Sequence, residues 1–311
     1  MMTAILAPGQ GSQYVGMLKD LYNEFAIVKE LVDRADDILG YKLSKICFEG
    51  PIDELKKTKY TQPALFLHSA CVFELIKNAV SFDCTAGHSV GEYAALYFSG
   101  VLPFEDALRL VQLRGDLMFR AGEFAPGTMF AVIGADDSAV EDVCKRLTEE
   151  GNGNVVVAAN YNCPGQLVVS GSADYIRSKV NVFKEAGAKI VKELVVSGAF
   201  HSPLMEPARK ELGNAIENTE FQNAKVPVYV NVSGLPETDA NVLKNALIQQ
   251  LTSPVRWTQT IRNMYQNGVR KFIELGAGNV LQGLVKRTVT DCEIMGLDKA
   301  EEIKSFLSSL K

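Results

Sequence analysis

The sequence predicts an α/β protein in which a mainly parallel sheet carries a small inserted unit. Strand-like apolar runs alternate with helical patterns over most of the chain, which is typical of a parallel sheet. Between residues 125 and 196 the predicted elements change to the order βαββαβ. A Gly-x-Ser-x-Gly motif at 87–91 lies between a strand-like and a helix-like run. We therefore expect two unequal units, with the serine motif in the larger one.

Composition excludes several classes of protein. The chain has 311 residues, 47% hydrophobic and 22% charged, which suits a globular protein with a large core. Its net charge of −5 offers no basic field for nucleic acid. No apolar run approaches the ~20 residues of a membrane span, and the N-terminus does not read as a signal peptide. We expect a cytoplasmic monomer that binds neither nucleic acid nor membranes.

The six cysteines are scattered along the chain without paired spacing, and most lie in apolar runs. This distribution is typical of small buried hydrophobic residues. The sequence predicts neither disulfides nor a metal site.

The first predicted strand, 3–7, runs into the turn Pro8-Gly9-Gln10-Gly11-Ser12-Gln13. The turn lacks the lysine of a phosphate-binding loop. It is compatible with a simple end of the strand or with a loop that presents backbone N–H groups. Helical spacing follows over 17–40 and 61–80, and His68 lies within the second apolar stripe, which predicts a core histidine.

The serine motif is compatible with an ordinary glycine-rich turn or with a nucleophile elbow. Gly87 and Gly91 are small enough for a tight strand-to-helix turn, which would expose the Ser89 hydroxyl. The Val90 N–H would then lie at the positive end of the following helix, where an oxyanion is stabilised.

Pro103 predicts the start of a helix in which Arg114 is anomalous. Its neighbours at i±3 and i±4 are apolar: Leu110, Val111, Leu117 and Met118. An unpaired buried guanidinium is costly, so Arg114 requires either an internal carboxylate or an anionic ligand. Gly115 beside it suggests a close approach to the backbone.

The inserted unit, 125–196, has the ferredoxin-like split pattern. Its predicted elements are strand 128–133, helix 138–150, strand 155–160, strand 167–170, helix 173–186 and strand 190–196, with Asp136 or Asp137 as a helix cap. The unit is either scaffolding or one wall of an active-site cleft.

His201 follows the insert at the mouth of a helix that Ser202 and Pro203 open. The chain has three histidines. His68 is assigned to the core and His88 adjoins the serine on the opposite side of the elbow, so His201 is the best general base for Ser89. No aspartate is placed to complete a triad. Strands 228–232 and 271–275 complete the sheet, with Gln250 in a loop between them.

The combination of motifs resembles the malonyl-CoA:acyl carrier protein transacylase family over essentially the whole chain. The motifs are Pro8-Gly9-Gln10-Gly11-Ser12-Gln13, Gly87-His88-Ser89-Val90-Gly91-Glu92, Arg114-Gly115, Gly198-Ala199-Phe200-His201-Ser202 and Gly276-Ala277-Gly278. The resemblance implies a hydrolase-like α/β subdomain, residues 1–124 and 197–311, and a ferredoxin-like subdomain, residues 125–196.

The resemblance also implies a ping-pong reaction that moves malonyl from malonyl-CoA to Ser89 and then to the phosphopantetheine thiol of acyl carrier protein, which supplies fatty acid elongation. The implied base is His201, oriented by the main-chain carbonyl of Gln250, and Arg114 binds the carboxylate. The oxyanion donors are the backbone N–H groups of Gln10 and Val90. Many members of the family carry leucine at the position of Val90. Phe200, Met118 and His88 are expected to contact substrate. No metal or bound cofactor is expected.

Three other functions are compatible with parts of this pattern. A serine hydrolase or thioesterase would share the elbow and base, but it has no need for Arg114. A non-catalytic module that binds carrier protein would need none of Ser89, His201 and Arg114. An acyltransferase of polyketide synthesis would perform the same chemistry on another carrier.

Overall fold

The computed structural model describes residues 1–310. The strands are β1 Met2–Ala7, β2 Cys84–Gly87, β3 Gly127–Ile133, β4 Val156–Cys163, β5 Gln166–Ser172, β6 Ile190–Glu193, β7 Val228–Tyr229, β8 Pro236–Glu237, β9 Val269–Leu275 and β10 Glu293–Leu297. They form two separate sheets.

The helices occupy most of the chain between the strands. They are α1 Lys19–Glu24, α2 Ala26–Leu39, α3 Leu43–Glu49, α4 Ile52–Leu55, α5 Thr58–Ile76, α6 Gly91–Phe98, α7 Phe104–Phe124, α8 Asp137–Glu149, α9 Ala173–Ser178, α10 Val180–Glu185, α11 Glu206–Glu217, α12 Ala240–Gln250, α13 Trp257–Gln266, α14 Val280–Thr288 and α15 Ala300–Ser309, with a short 3₁₀ helix at Pro203–Met205. Within residues 1–310, no helix has both the length and the apolar character that crossing a membrane requires.

The larger sheet has the strand order β10-β9-β1-β2-β7-β8. Its first five strands run parallel, and β8 pairs antiparallel with β7. β1 and β2 are almost wholly buried, as expected for central strands that helices cover on both faces. The predicted mainly parallel sheet is confirmed.

The smaller sheet is antiparallel, with the order β4-β5-β3-β6. Its elements follow the predicted order βαββαβ, although the second helix is divided into α9 and α10 at Lys179. Apolar residues of α8 and of the strands form a separate core beneath this sheet. The smaller sheet thus has a core of its own on one face, while Met129, Ala159 and Val168 of its strands belong to the main core.

Several boundaries differ from the sequence-based expectations. The helix expected over 17–40 begins at Lys19 and is interrupted at Phe25, which has an extended backbone. The strands expected over 190–196 and 228–232 end at Glu193 and Tyr229. Asp136 is the N-cap of α8, but its side chain makes no capping hydrogen bond.

The expectation that Gln250 lies in a loop is wrong. Gln250 is the last residue of α12, a helix whose N-cap Asp239 accepts hydrogen bonds from the backbone of Asn241 and Val242. The helix carries only a weak apolar stripe, with Leu243, Ala246 and Leu247 as its buried apolar residues, so periodicity alone did not reveal it. Strand β10 was missed as well, because it is short and partly exposed.

The turn between β2 and α6 explains both glycines of the serine motif. A Cβ atom on Gly87 would lie 1.9 Å from the backbone carbon of Gly91, and one on Gly91 would lie 2.3 Å from the Ala7 carbonyl oxygen. Ser89 between them has φ of +53°, in the left-handed region that side chains disfavour. The turn therefore has the close packing and the backbone strain of a nucleophile elbow.

We expect Gly91→Ala to lower the free energy of unfolding by about 1–3 kcal/mol, because the added methyl group overlaps the end of β1. The measurement is the urea midpoint. Gly283→Ala in α14 is a matched control, since a Cβ there meets no atom within 4 Å. That substitution should leave stability unchanged or raise it by up to ~1 kcal/mol. Equal midpoints for the two variants would contradict the close contact.

Candidate active site

Ser89 lies in a cavity at the carboxyl edge of the parallel sheet, facing the smaller sheet. The cavity is lined by Gln10, Gln62, His88, Ser89, Val90, Arg114, Met118, Met129, Asn160, Leu194, Val196, Phe200 and His201. Its free volume of about 90 Å³ is several times the ~10–15 Å³ that admits one water. Such a space suits a group of several non-hydrogen atoms. Apart from Gln250, which lies behind the wall, every site residue predicted from the sequence lines it.

The Ser89 hydroxyl and the His201 imidazole are in direct contact. Ser89 Oγ lies 2.7 Å from His201 Nε2, and His201 Nδ1 lies 3.0 Å from the backbone oxygen of Gln250. A carbonyl oxygen can only accept, so Nδ1 carries the proton and Nε2 is left to accept the serine proton. The arrangement is that of a nucleophile and its general base.

Burial, together with the positive charge of Arg114, lowers the pKa of His201 to about 3. The imidazole is therefore neutral at pH 7, the state in which it can take a proton. The structure also explains why the sequence supplies no acid to complete a catalytic triad. Its place beside Nδ1 is taken by the Gln250 carbonyl, which belongs to the backbone and has no signature in side-chain identity.

The loops that follow two neighbouring strands pack together at the serine motif. β1 and β2 are parallel and pair Ala7 with Gly87, so the loops that carry Gln10 and Val90 leave the sheet side by side. A Cβ on Gly9 would lie 2.7 Å from the His88 carbonyl oxygen, which shows how closely the two loops pack. Within residues 1–310, neither the Gln10 nor the Val90 N–H donates to another protein group. Both are free to bind an oxyanion.

Arg114 is fully buried at the side of the cavity. One of its terminal nitrogens donates to Gln62 Oε1 at 2.8 Å, and the other donates to Ser89 Oγ and Gln250 Oε1, each at 3.0 Å. No carboxylate of the described chain lies within 4 Å of it, so the structural ion pair considered from the sequence is absent. Neutral groups hold the guanidinium.

The close approach expected at Gly115 comes from the protein itself. A Cβ there would lie 3.1 Å from the backbone of Thr58 and Lys59 at the start of α5. The glycine lets α5 and α7 pack tightly. It does not mark a ligand contact.

Asn231 is a site residue that the sequence-based reasoning missed. Its Oδ1 accepts from the Ser89 N–H at 2.7 Å and its Nδ2 donates to the Gly87 carbonyl at 2.7 Å, so it clamps the elbow from both sides. Asn231 follows β7, the neighbour of β2, and polar residues after adjacent parallel strands meet at one edge of a sheet. That rule could have found it.

Gln62 was also missed, because it lies in the apolar pattern of α5. Its side chain accepts from Arg114 and donates to the Met118 sulfur at 3.3 Å. Met118, predicted as a substrate contact, therefore shares a hydrogen-bond partner with Arg114.

The smaller sheet forms one wall of the cavity, as one of the two sequence-based alternatives proposed. Met129 and Asn160 come from its strands, and Leu194 and Val196 come from the segment that returns to the larger sheet. His88 joins the two units, since its Nε2 lies 2.8 Å from Asn162 Oδ1. His68 is fully buried against the Asp298 carbonyl, which confirms the prediction of a core histidine.

Within the described chain, no group of three or more histidine, cysteine or acidic side chains is arranged to hold a metal ion. The groups that the site brings together are a serine, a neutral imidazole, two backbone N–H groups and a buried guanidinium.

Comparison with known proteins agrees with this chemistry. Residues 5–309 match the acyl transferase domain family. A malonyl CoA-acyl carrier protein transacylase of Bacillus subtilis (strain 168) is 43% identical over 309 residues, which cover 99% of this chain and 97% of the relative. One from Haemophilus influenzae is 43% identical over 306 residues, covering 97% and 96%.

Solved structures give the same result. An acyl carrier protein S-malonyltransferase of Vibrio cholerae superposes with a TM-score of 0.93 at 40% identity, covering 98% of this chain and all of that one. A malonyl-transacylase in complex with a type II PKS acyl-carrier protein superposes with a TM-score of 0.94 at 37% identity, covering 99% of this chain and 100% of that one. The resemblance found in the motifs is thus confirmed, and the chain belongs to the acyl transferase family, among the malonyl CoA-acyl carrier protein transacylases.

Proposed function

We propose that this enzyme transfers malonyl from malonyl-CoA to the phosphopantetheine thiol of acyl carrier protein through a malonyl ester on Ser89. One observation carries the proposal: Ser89 Oγ lies between His201 Nε2 at 2.7 Å and a buried Arg114 nitrogen at 3.0 Å. The first contact activates a nucleophile, and the second places a carboxylate-binding cation within reach of the ester it would form. The activities of the relatives, malonyl transfer involving acyl carrier protein, support the same reaction.

In the first half-reaction, His201 Nε2 takes the Ser89 proton as Oγ attacks the thioester carbonyl. The N–H groups of Gln10 and Val90 stabilise the oxyanion, and the positive end of α6 adds to this effect. Collapse breaks the carbon–sulfur bond, and the imidazolium returns its proton to the coenzyme A thiolate.

The second half-reaction reverses these roles. The phosphopantetheine thiol gives its proton to His201 and attacks the malonyl ester. The same donors hold the oxyanion, and Ser89 leaves with the proton that His201 returns. Because a base and two donors complete the chemistry, we propose that no metal or cofactor takes part.

Arg114 would select the dicarboxylic acyl group. The malonyl carboxylate lies one methylene from the reacting carbonyl, so a guanidinium beside Ser89 Oγ is at the right range to bind it. The apolar surroundings strengthen this charge-assisted contact. Met118 and Phe200 would pack against the methylene, and His88 would close the wall from its contact with Asn162.

We also propose that the two sheets define two subdomains: a hydrolase-like one from residues 1–124 and the chain from residue 197 onward, and a ferredoxin-like one from residues 125–196. The strand order β4-β5-β3-β6 and the separate core of the smaller sheet support this division. A monomeric state and a cytoplasmic location stay predictions from composition.

A second carrier is favoured by one specific observation. The malonyl-transacylase that superposes with a TM-score of 0.94 is bound to a type II PKS acyl-carrier protein. Polyketide assembly is therefore the alternative to fatty acid synthesis as the pathway that uses this chemistry. Hydrolysis is disfavoured, because a generic esterase has no use for the buried Arg114.

Mixing the protein with malonyl-CoA should add one malonyl mass to Ser89, and later addition of holo acyl carrier protein should remove it. Intact-mass spectrometry follows both steps. Ser89→Ala should gain no mass, because its elbow has no hydroxyl. The control is Ser305→Ala, which changes an exposed serine of α15 and should react like the wild type. Labelling of Ser89→Ala at the normal rate would show that another residue is the nucleophile.

His201→Ala should slow both half-reactions about 10²–10⁴-fold, because the same imidazole takes and returns the proton in each. Stopped-flow or quenched acylation and deacylation rates give the two numbers separately. A loss below tenfold in a variant with the wild-type circular dichroism spectrum would exclude His201 as the base.

Arg114→Ala should lower kcat/KM for malonyl-CoA at least tenfold, since a charge-assisted hydrogen bond is worth roughly 1.5–3 kcal/mol. Acetyl-CoA has no free carboxylate, so kcat/KM for acetyl-CoA should fall little or rise. The measurement is a pair of kcat/KM values in wild type and variant. Equal losses for the two substrates would assign Arg114 a structural role only.

A further inference from the structure

Glu92 is a buried carboxylate that the proposed reaction does not use. It lies in the first turn of α6, close to Ser89 in the chain, and is 1% exposed. One oxygen, Oε2, accepts from the Asn231 N–H at 3.1 Å and from Gln250 Nε2 at 2.8 Å. No basic side chain of residues 1–310 lies within 4 Å of it. Buried acids are usually paired, so this arrangement requires an explanation.

The Gln250 side chain links this carboxylate to Arg114. Its Nε2 donates to Glu92 Oε2 and, at 3.0 Å, to the Ser89 carbonyl, while its Oε1 accepts from Arg114 at 3.0 Å. The two ends of an amide have nearly the same shape, so packing alone does not choose between them. Glu92 Oε2 and the Ser89 carbonyl both accept from Nε2, and together they fix Nε2 on this side and Oε1 toward Arg114.

Charge acts in the same direction as geometry. The carboxylate and the guanidinium lie at opposite ends of the Gln250 amide. The negative carboxylate faces the positive NH₂ end of the amide, and the positive guanidinium faces its negative oxygen. Polarisation along such a chain strengthens each bond in a buried setting. Burial raises the pKa of Glu92 to about 7, and the hydrogen bonds from Gln250 and Asn231, with the charge of Arg114, act to lower it.

We propose that Glu92 is a positioning residue for acyl selectivity: through the Gln250 amide it holds the Arg114 guanidinium beside Ser89, where the substrate carboxylate is bound. The inference rests on the proposed malonyl transfer and deepens it. Glu92 touches no reacting atom. Its effect on selectivity passes through Gln250 and Arg114, whereas its bond from the Asn231 N–H supports the elbow for every substrate alike.

The geometry separates this effect from general damage to the site. His201 is held by the backbone oxygen of Gln250 and not by its side chain. A change at Glu92 that releases the Gln250 amide therefore leaves the base in place. Substrates that depend on Arg114 should suffer, and substrates without a carboxylate should not.

The test measures kcat and KM for malonyl-CoA and acetyl-CoA with holo acyl carrier protein as acceptor. Glu92→Met removes the acceptor at similar length, and the ratio of malonyl to acetyl kcat/KM should fall about tenfold, the equivalent of ~1.4 kcal/mol. The loss should lie mainly in the KM for malonyl-CoA. Glu92→Gln is the matched control. Its amide oxygen can accept both bonds that Oε2 now accepts, so the ratio should stay within about threefold of wild type.

One single variant and one pair of double variants keep the proposal testable if Glu92→Met does not fold. Glu92→Asp retains the charge but shortens the side chain, so it should lower the ratio in the same direction. In a Gln250→Met background, Glu92→Gln and Glu92→Asp should have the same ratio, because the intermediary is gone.

Equal losses for the two substrates in the foldable variants would overturn the proposal, as would an unchanged ratio in Glu92→Asp and Glu92→Met. A fall in Glu92→Gln as large as that in Glu92→Met would overturn it too, because the hydrogen bonds are retained there. Failure of the wild type to form a malonyl ester would instead contradict the proposed function, which the mass measurement on Ser89 shows separately.

Discussion

The burial of a guanidinium beside Ser89, the proposed nucleophile, is the constraint on which the rest of the site depends. Arg114 is fully enclosed, and amide oxygens and a hydroxyl hold it without a direct carboxylate partner. A cation held only by neutral groups remains available to an anion, whereas a salt bridge would already have satisfied it. The surrounding residues can be understood as the means of tolerating that charge until substrate arrives.

The parallel sheet brings these groups together. Adjacent strands β1, β2 and β7 end at one edge, and the loops after them carry Gln10, Ser89 and Asn231. His201 and Gln250 reach the same point from the chain that follows the smaller sheet. Residues far apart in sequence thus meet because the carboxyl ends of parallel strands coincide, which is where ligands bind in open α/β sheets.

The sequence predicted those parts of the site that local chemistry determines. The spacing of Gly87 and Gly91 around a serine predicted a tight turn. Arg114 in an apolar helix face predicted that its charge has a polar or anionic partner. Residue patterns alone did not predict contacts made between backbone and side chain across the fold. The Gln250 carbonyl beside His201 was expected only from the family resemblance, and the Asn231 contact with Ser89 was not expected at all. Both depend on where α12 and β7 lie, and no periodicity encodes those positions. The break at Phe25 was hidden for a similar reason, since the apolar spacing continues across it.

The backbone at the reacting pair has a consequence for which nucleophiles this fold can use. Ser89 and His201 both have left-handed backbones, with φ of +53° and +56°. A branched Cβ is strongly disfavoured there, so threonine would carry the same hydroxyl at a conformational cost that serine avoids. Among small nucleophilic side chains, cysteine alone matches the shape that the turn accepts. The backbone of the elbow therefore favours serine or cysteine at position 89, so the proposed intermediate could be only an oxygen ester or a thioester.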